Sequence, residues 1–205
     1  MTKDKAWIYW SLMLYAAFGI FAYFYLDIPV ASFFRVYEDR FFEDFFTTLS
    51  IAGESHWFIA SGFVVYLIYR KKNEIYAKRA LFLFFSVGLS GIISGIIKGT
   101  AGRYRPVKFF KENLYGFDGW HFNEYKFNSF PSGHTTTAFA VGVALAIMFP
   151  KYKVYFILFG FFIAFTRIST TVHYLSDTIA GAFIGSVVAV FLYKKYFKGI
   201  DCSKK

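Results

Sequence analysis

IYWSLMLYAAFGIFAYFYL, residues 8–26, holds no charged residue over 19 positions. At a rise of about 1.5 Å per residue it reaches far enough to cross a hydrocarbon core of about 30 Å. Lys3 and Lys5 precede it, yet the run is long and has no obvious small-x-small cleavage site before the next polar stretch, so it reads as a retained membrane helix and not as a signal peptide. Five more apolar runs lie at 57–69 (extendable back to Leu49), 80–97, 135–149, 154–165 (extendable to Thr171) and 178–193, each bounded by Lys or Arg, by Pro150 or by a polar cluster. The expected fold is all-α: six transmembrane helices in a bundle, forming a single domain over residues 1–205.

The composition agrees. The chain is 57% hydrophobic, 24% aromatic and 18% charged with a net charge of +10, and its one cysteine, Cys202, lies in a polar tail. These values exclude intrinsic disorder, a collagen-like chain and a disulfide scaffold. The basic residues sit in short clusters between apolar runs, which points to membrane topology and away from nucleic acid. The N-terminus, the connections after the second and fourth spans, and the C-terminal tail together hold 14 basic and three acidic residues; the rest of the chain holds nine basic and ten acidic ones. The first set is expected on the cytoplasmic side, with both termini there, and the other three connections are expected to face outward.

Between the first two runs, residues 27–50 set Phe33, Phe34, Tyr37, Phe41, Phe42, Phe45 and Phe46 against Arg35, Glu38, Asp39, Arg40, Glu43 and Asp44. The spacing is near-helical and the segment is too charged to span, so an amphipathic helix lying in the outer interface is expected, as an anchor or as a substrate platform.

Outward connections should be poor in Lys and Arg, yet residues 97–131 carry Lys98, Arg103, Arg105, Lys108, Lys111 and Lys126. Either they form a cationic pocket for an anionic group, or they are solvated and balanced by Glu112, Asp118 and Glu124. Order and spacing decide. Lys98 and Arg105-Pro106 stand seven positions apart at the outer end of the third run. Pro131-Ser132-Gly133-His134 opens the fourth, where free backbone N–H groups suit an anion. Arg167 and His173-Tyr-Leu-Ser-Asp177 bracket the turn between the last two, and the four-residue spacing puts His173 and Asp177 on one helical face. Singly, each has an ordinary explanation as a snorkelling cation, a helix start or a structural hydrogen bond. All three stretches fall on the same expected side of the membrane.

These stretches resemble the signatures K-x6-RP, PSGH and SR-x5-H-x3-D of the type 2 phosphatidic acid phosphatase superfamily, with Thr166 in place of the last serine. The signature region runs over residues 98–177, and the six-span layout is similar to the membrane branch of the family; soluble vanadium haloperoxidases form another branch. The resemblance implies that His173 attacks phosphorus to form a phosphohistidine, that Asp177 orients it, and that His134 protonates the leaving oxygen and then activates water. It implies a phosphate cradle of Lys98, Arg105, Arg167, Ser132 and the Gly133 N–H, with Thr166 as a secondary contact; Arg103, two residues before Arg105, is expected as a further contact to phosphate or a lipid headgroup. No metal or other cofactor is expected, since two histidines in separate roles suffice for acid–base and covalent catalysis and no carboxylate or Cys/His cluster is evident.

A site at headgroup level of the outer leaflet is expected to take a phosphorylated lipid from the bilayer, and no nucleic acid. Within the family the chain looks most like bacterial inner-membrane lipid A 1-phosphatases, whose outward side is the periplasm; phosphatidylglycerophosphate and undecaprenyl diphosphate phosphatases are the alternatives. A phospholipid transporter holding headgroups with the same cations is the competing class, against which the intact His134, His173 and Asp177 argue. Glu54, His56 and His121 are left as helix-end or loop polarity or as substrate contacts.

Overall fold

The structure, a computed structural model, describes residues 13–36, 39–122 and 124–201. The start of the first apolar run, Lys3, Lys5, Tyr37, Glu38 and Cys202 lie outside the described residues. Among the described residues the fold is all-helical, with one isolated antiparallel bridge between Arg103 and Phe117. Helix α1 spans Met13–Val36 and α2 spans Arg40–Ser50; a 3₁₀ turn at Ile51–Gly53 leads into α3, Ser55–Tyr69. Next along the chain are α4 (Glu74–Ala101), the short α5 (Pro106–Glu112), α6 (Gly133–Met148), α7 (Lys153–Ser169) and α8 (Leu175–Tyr196).

Helix α6 is the axis of the bundle, packing against α4, α7 and α8, while α3 packs on α4 and α2 on α7. Every residue from Thr135 to Gly142 is buried. The helix needs little length because it is walled by protein: its 16 residues rise only about 24 Å. Small residues permit the close contacts that hold helices together where lipid replaces water. A Cβ at Gly181 of α8 would stand 2.6 Å from the Ser132 carbonyl oxygen, and one at Gly142 of α6 would stand 2.5 Å from that of Phe156. Away from these seams, large apolar side chains point outward, including Phe24, Ile92, Phe161 and Phe191. That much exposed apolar surface suits a hydrocarbon surround. Five helical stretches are long and apolar enough to cross a membrane (Met13–Val36, Arg40–Tyr69, Glu74–Ala101, Pro150–Ser169 and Leu175–Tyr196), and Gly133–Met148 is a shorter apolar helix.

The first segment departs from its expected layout. Helix α1 does not end at Leu26 but runs ten residues further, through a π-turn at Ala22–Leu26. A π-turn inserts a residue and so rotates the rest of the helix about its axis. Asp27, expected at the start of an interfacial helix, is therefore fully buried inside the protein. The remainder of that segment forms α2, whose Phe46 ring packs edge-on against Phe165 of α7 at 5.5 Å. Expected as one helix, residues 27–50 are two pieces, each tied to the bundle.

Caps and turns bring the functional helix ends together. Asn73 caps α4, its Oδ1 accepting from the Ile75 and Tyr76 amides at 3.0 and 3.2 Å. At the other end of α4, Gly102 takes the left-handed conformation (φ 59°), where a side chain would be strained, and reverses the chain so that Arg103 turns back into the bundle. Pro106 opens α5 at a position that needs no amide hydrogen.

Candidate active site

The C-terminal ends of α4 and α7 and the N-terminal ends of α6 and α8 supply the motif residues. Lys98, on the last turn of α4, donates through Nζ to the carbonyls of Asn128 (2.9 Å) and Pro131 (2.8 Å), the segment that leads into α6. Arg105 is buried and fans across three carbonyls: Tyr125 (2.8 Å), Val172 (3.3 Å) and Asn128 (3.2 Å), with its guanidinium 3.8 Å from the Tyr125 ring centroid. Arg167, on the last turn of α7, donates to Ser50 Oγ at 2.7 Å. These bonds leave donors in hand, because Arg offers five N–H groups and Lys three.

Ser132 N–H donates to the Asp177 carbonyl at 3.0 Å and Ser132 Oγ accepts from Thr135 Oγ1 at 3.0 Å, so the start of α6 is locked to the start of α8. Next to it, Gly133 and His134 line a polar cavity of about 340 Å³ together with Lys98, Glu54, Ser55 and His56. Lys98, Arg105 and Arg167 all act electrostatically on His134.

His173 is buried in the turn between α7 and α8, its amide donating to the Arg167 carbonyl at 3.1 Å. Its Nδ1 stands 3.6 Å from Asp177 Oδ2. Burial holds the imidazole well below the usual histidine range, and the nearby Arg105 and Lys98 add to this, against the pull of Asp177. This favours the neutral imidazole, the form in which a histidine can act as a nucleophile. Asp177 is itself fully buried and accepts from Ser129 Oγ (2.6 Å) and the Tyr174 amide (2.9 Å) through Oδ2, and from Arg103 through Oδ1 (2.5 Å).

Lys98, Arg105, Arg167, Ser132, Gly133, His134, His173 and Asp177 thus meet at one end of the bundle. Of these, Lys98, Gly133 and His134 line the cavity, and the others are packed behind its wall. Two secondary candidates are committed elsewhere. Thr166 is buried and spends its hydroxyl proton on the Ile163 carbonyl at 2.7 Å. Arg103, expected as a further phosphate or headgroup contact, is fully buried behind Asp177 with both terminal nitrogens bonded to protein. Its two carboxylate neighbours, Asp177 and Asp27, outweigh the effect of burial and raise its pKa. His121 lies apart, bracketed by Asp118 (2.9 Å) and Glu124 (3.3 Å) and stacked on Phe127. Glu54 and His56 pair at 3.2 Å on the cavity wall. The sequence did not single out Asp27, Ser50, Ser129 or Ser176. Of these only Asp27 carried a signal, as an ionisable residue directly after an apolar run.

Comparison with known proteins places the chain in a family. A lipid A 1-phosphatase of Rhizobium johnstonii is 39% identical over 105 residues, which cover 51% of this chain and 43% of that one. A lipid A 1-phosphatase of Rhizobium etli is 36% identical over 117 residues, covering 56% and 50%. The chain therefore aligns with half or less of the length of these relatives. The crystal structure of Aquifex aeolicus LpxE shares the fold, with a TM-score of 0.58 at 21% identity over 82% of this chain and 95% of that one. The model of the PAP2 superfamily matches residues 79–201, a stretch that contains all three motifs. The chain belongs to the PAP2 superfamily.

Proposed function

We propose that the protein is a lipid phosphatase that removes phosphate from a membrane lipid through a phosphohistidine on His173, without a metal, and that its physiological substrate is lipid A 1-phosphate. The observation that carries this reading is the convergence of Lys98, Arg105 and Arg167 on His134, two of which, Arg105 and Lys98, also act on His173, itself buried beside Asp177. A phosphate monoester brings charge that an apolar bundle cannot solvate, and preorganised cations and N–H donors neutralise it best as charge develops at phosphorus. His173 attacks; Asp177 stabilises the imidazole as it becomes positive. His134, on the wall of the polar cavity, protonates the leaving oxygen and then draws a proton from the attacking water. The similarity to two lipid A 1-phosphatases supports the choice of substrate.

In this reading α1, α3, α4, α6, α7 and α8 are six spans of a bacterial inner membrane, with both termini cytoplasmic and the site opening to the periplasm at headgroup level. The basic clusters at the opposite end, such as Arg70, Lys71 and Lys72, support that orientation. The test is phosphate release in detergent from a panel of lipid A, phosphatidylglycerophosphate, phosphatidic acid and undecaprenyl diphosphate, by wild type and by His173→Ala. Fastest release from lipid A, lost in the variant and unaffected by a chelator, is expected. Faster release from another lipid replaces the substrate, and equal release by the two proteins removes His173 as nucleophile.

A further inference from the structure

Asp27 lies outside the stretch matched by the family model and outside every motif. It is nonetheless the centre of the most densely bonded polar group in the described residues. The π-turn just before it swings its carboxylate inward, where it is fully buried. Oδ2 accepts from Arg103 at 2.6 Å and from Ser176 Oγ at 2.5 Å, and Oδ1 accepts the Ser176 amide at 2.8 Å. Arg103 then reaches Asp177 through its other terminal nitrogen, and Tyr115 accepts from Arg103 at 3.1 Å. We propose that Asp27 is a positioning residue for the nucleophile: through Arg103 and Ser176 it fixes where Asp177 stands and how much negative charge Asp177 presents to His173. This rests on the reading of His173 as nucleophile.

Two physical effects carry it. The first is charge. An Arg103–Asp177 pair alone would be neutral, and Arg103 would cancel much of the field that Asp177 exerts on a developing imidazolium. With Asp27 present, one cation is shared by two carboxylates, and the buried group keeps a net negative charge. In a water-excluded interior that difference acts strongly over a few ångströms. Burying a third charge is costly, which makes a purely structural filler at this place unfavourable.

The second is geometry. Ser176 is the second residue of α8, so its amide is one of those that the helix cannot bond internally. By accepting it, Asp27 fastens α1 to the very turn of α8 that carries Asp177. The groups acting on His173 are Asp177 from α8, with Arg105 and Lys98 from the loop after α4 and from α4 itself, and Arg103 stands behind Asp177. Asp27 is the residue that decides the charge balance of that last pair.

The experiment uses the full chain in detergent, with Asp27→Asn, Asp27→Glu and Arg103→Lys. Steady-state phosphate release from the best lipid of the panel is expected to lose kcat by about 10–100-fold in Asp27→Asn, with KM within about 3-fold, since misplacement of about 1 Å costs on this order. Asp27→Glu, which keeps the charge, is expected to retain more. In a double-variant cycle with Asp177→Asn, the Asp27→Asn effect should largely vanish. Independently of turnover, the protonation of His173 is monitored by NMR of ¹⁵N-histidine-labelled protein, assigned with His173→Gln. Its titration is expected to move to lower pH in Asp27→Asn.

A full Asp27→Asn effect in the Asp177→Asn background, or an unmoved His173 titration, overturns the inference. If wild type releases no phosphate from any lipid but the titration moves, the proposed activity falls and the role of Asp27 stands. Should Asp27→Asn not fold, Arg103→Lys carries the same test, because one ammonium cannot bridge both carboxylates as a guanidinium fork does. The same kcat loss is then expected, again largely vanishing in the Asp177→Asn background, and its absence overturns the inference.

Discussion

Arg167 on α7 and Ser50 at the end of α2 are joined by a 2.7 Å hydrogen bond across 117 residues of sequence. Both are buried, and the bond holds one terminal nitrogen of the guanidinium while Nε has no partner among the described residues. Ser50→Ala should free the arginine to sample other rotamers. A hydrogen bond to a charged group contributes about 1.5–3 kcal/mol, and about 1.4 kcal/mol corresponds to a tenfold change. With Arg167 in its proposed role as a phosphate ligand, part of that loss should appear in binding: a KM raised about 3–10-fold with kcat less affected, read from steady-state phosphate release.

Ser129 donates to the same Asp177 oxygen that stands nearest His173. Ser129→Ala should leave that oxygen less fixed and lower kcat by about tenfold, an effect of the kind produced when a group orienting a catalytic residue is lost. Ser129→Thr, keeping the hydroxyl, should restore part of it; equal loss in both variants would assign the effect to packing.

His173 is expected to contribute a pH dependence. Its pKa in the fold lies well below 6.5, first through burial and then through Arg105 and Lys98. As pH falls through 6.5, the histidine of the unfolded chain binds a proton and that of the native protein does not, so native stability declines from that pH downward until the native pKa is reached. His173→Gln should flatten this part of the stability curve, measured as thermal unfolding in detergent between pH 7 and pH 4. The acid limb of kcat/KM due to His173 should likewise lie below pH 6.5. Arg105→Gln, removing a neighbouring cation, should move that limb to higher pH while lowering kcat/KM overall.

Gly181 tests the seam between α6 and α8. A methyl group there meets the Ser132 carbonyl oxygen, at the very start of α6, whereas one at Gly88 meets nothing within 4 Å among the described residues. Gly181→Ala should destabilise by about 1–3 kcal/mol, the usual result of overpacking, and reduce turnover by displacing the PSGH turn. Gly88→Ala should do neither. Thermal unfolding and phosphate release on the two variants check the pair.

The helices and the motif residues were legible because both obey short-range rules. Apolar runs of membrane length announce themselves, and Lys98, Arg105, His134, Arg167, His173 and Asp177 stand at fixed spacings at the ends of those runs. The concealed relationships lie between elements distant along the chain. Asp27 read as the end of a span because it is the first charge after Leu26, and nothing local reveals a π-turn that carries the helix on and turns the carboxylate inward. Arg103 read as a ligand because it stands two residues from Arg105; the left-handed Gly102 and the bridge to Phe117 send it the other way. Ser50, Ser129 and Ser176 are ordinary serines until the fold gives each a charged partner.

The covalent step is tested most directly by trapping it. Wild-type protein turning over a ³²P-labelled lipid phosphate is quenched in alkali, digested and sequenced by mass spectrometry. A base-stable, acid-labile phosphoryl group on the peptide containing His173, absent from His173→Ala, is the expected result. Phosphate release at the wild-type rate by His173→Ala, or a phosphoryl group found on another residue, would contradict it.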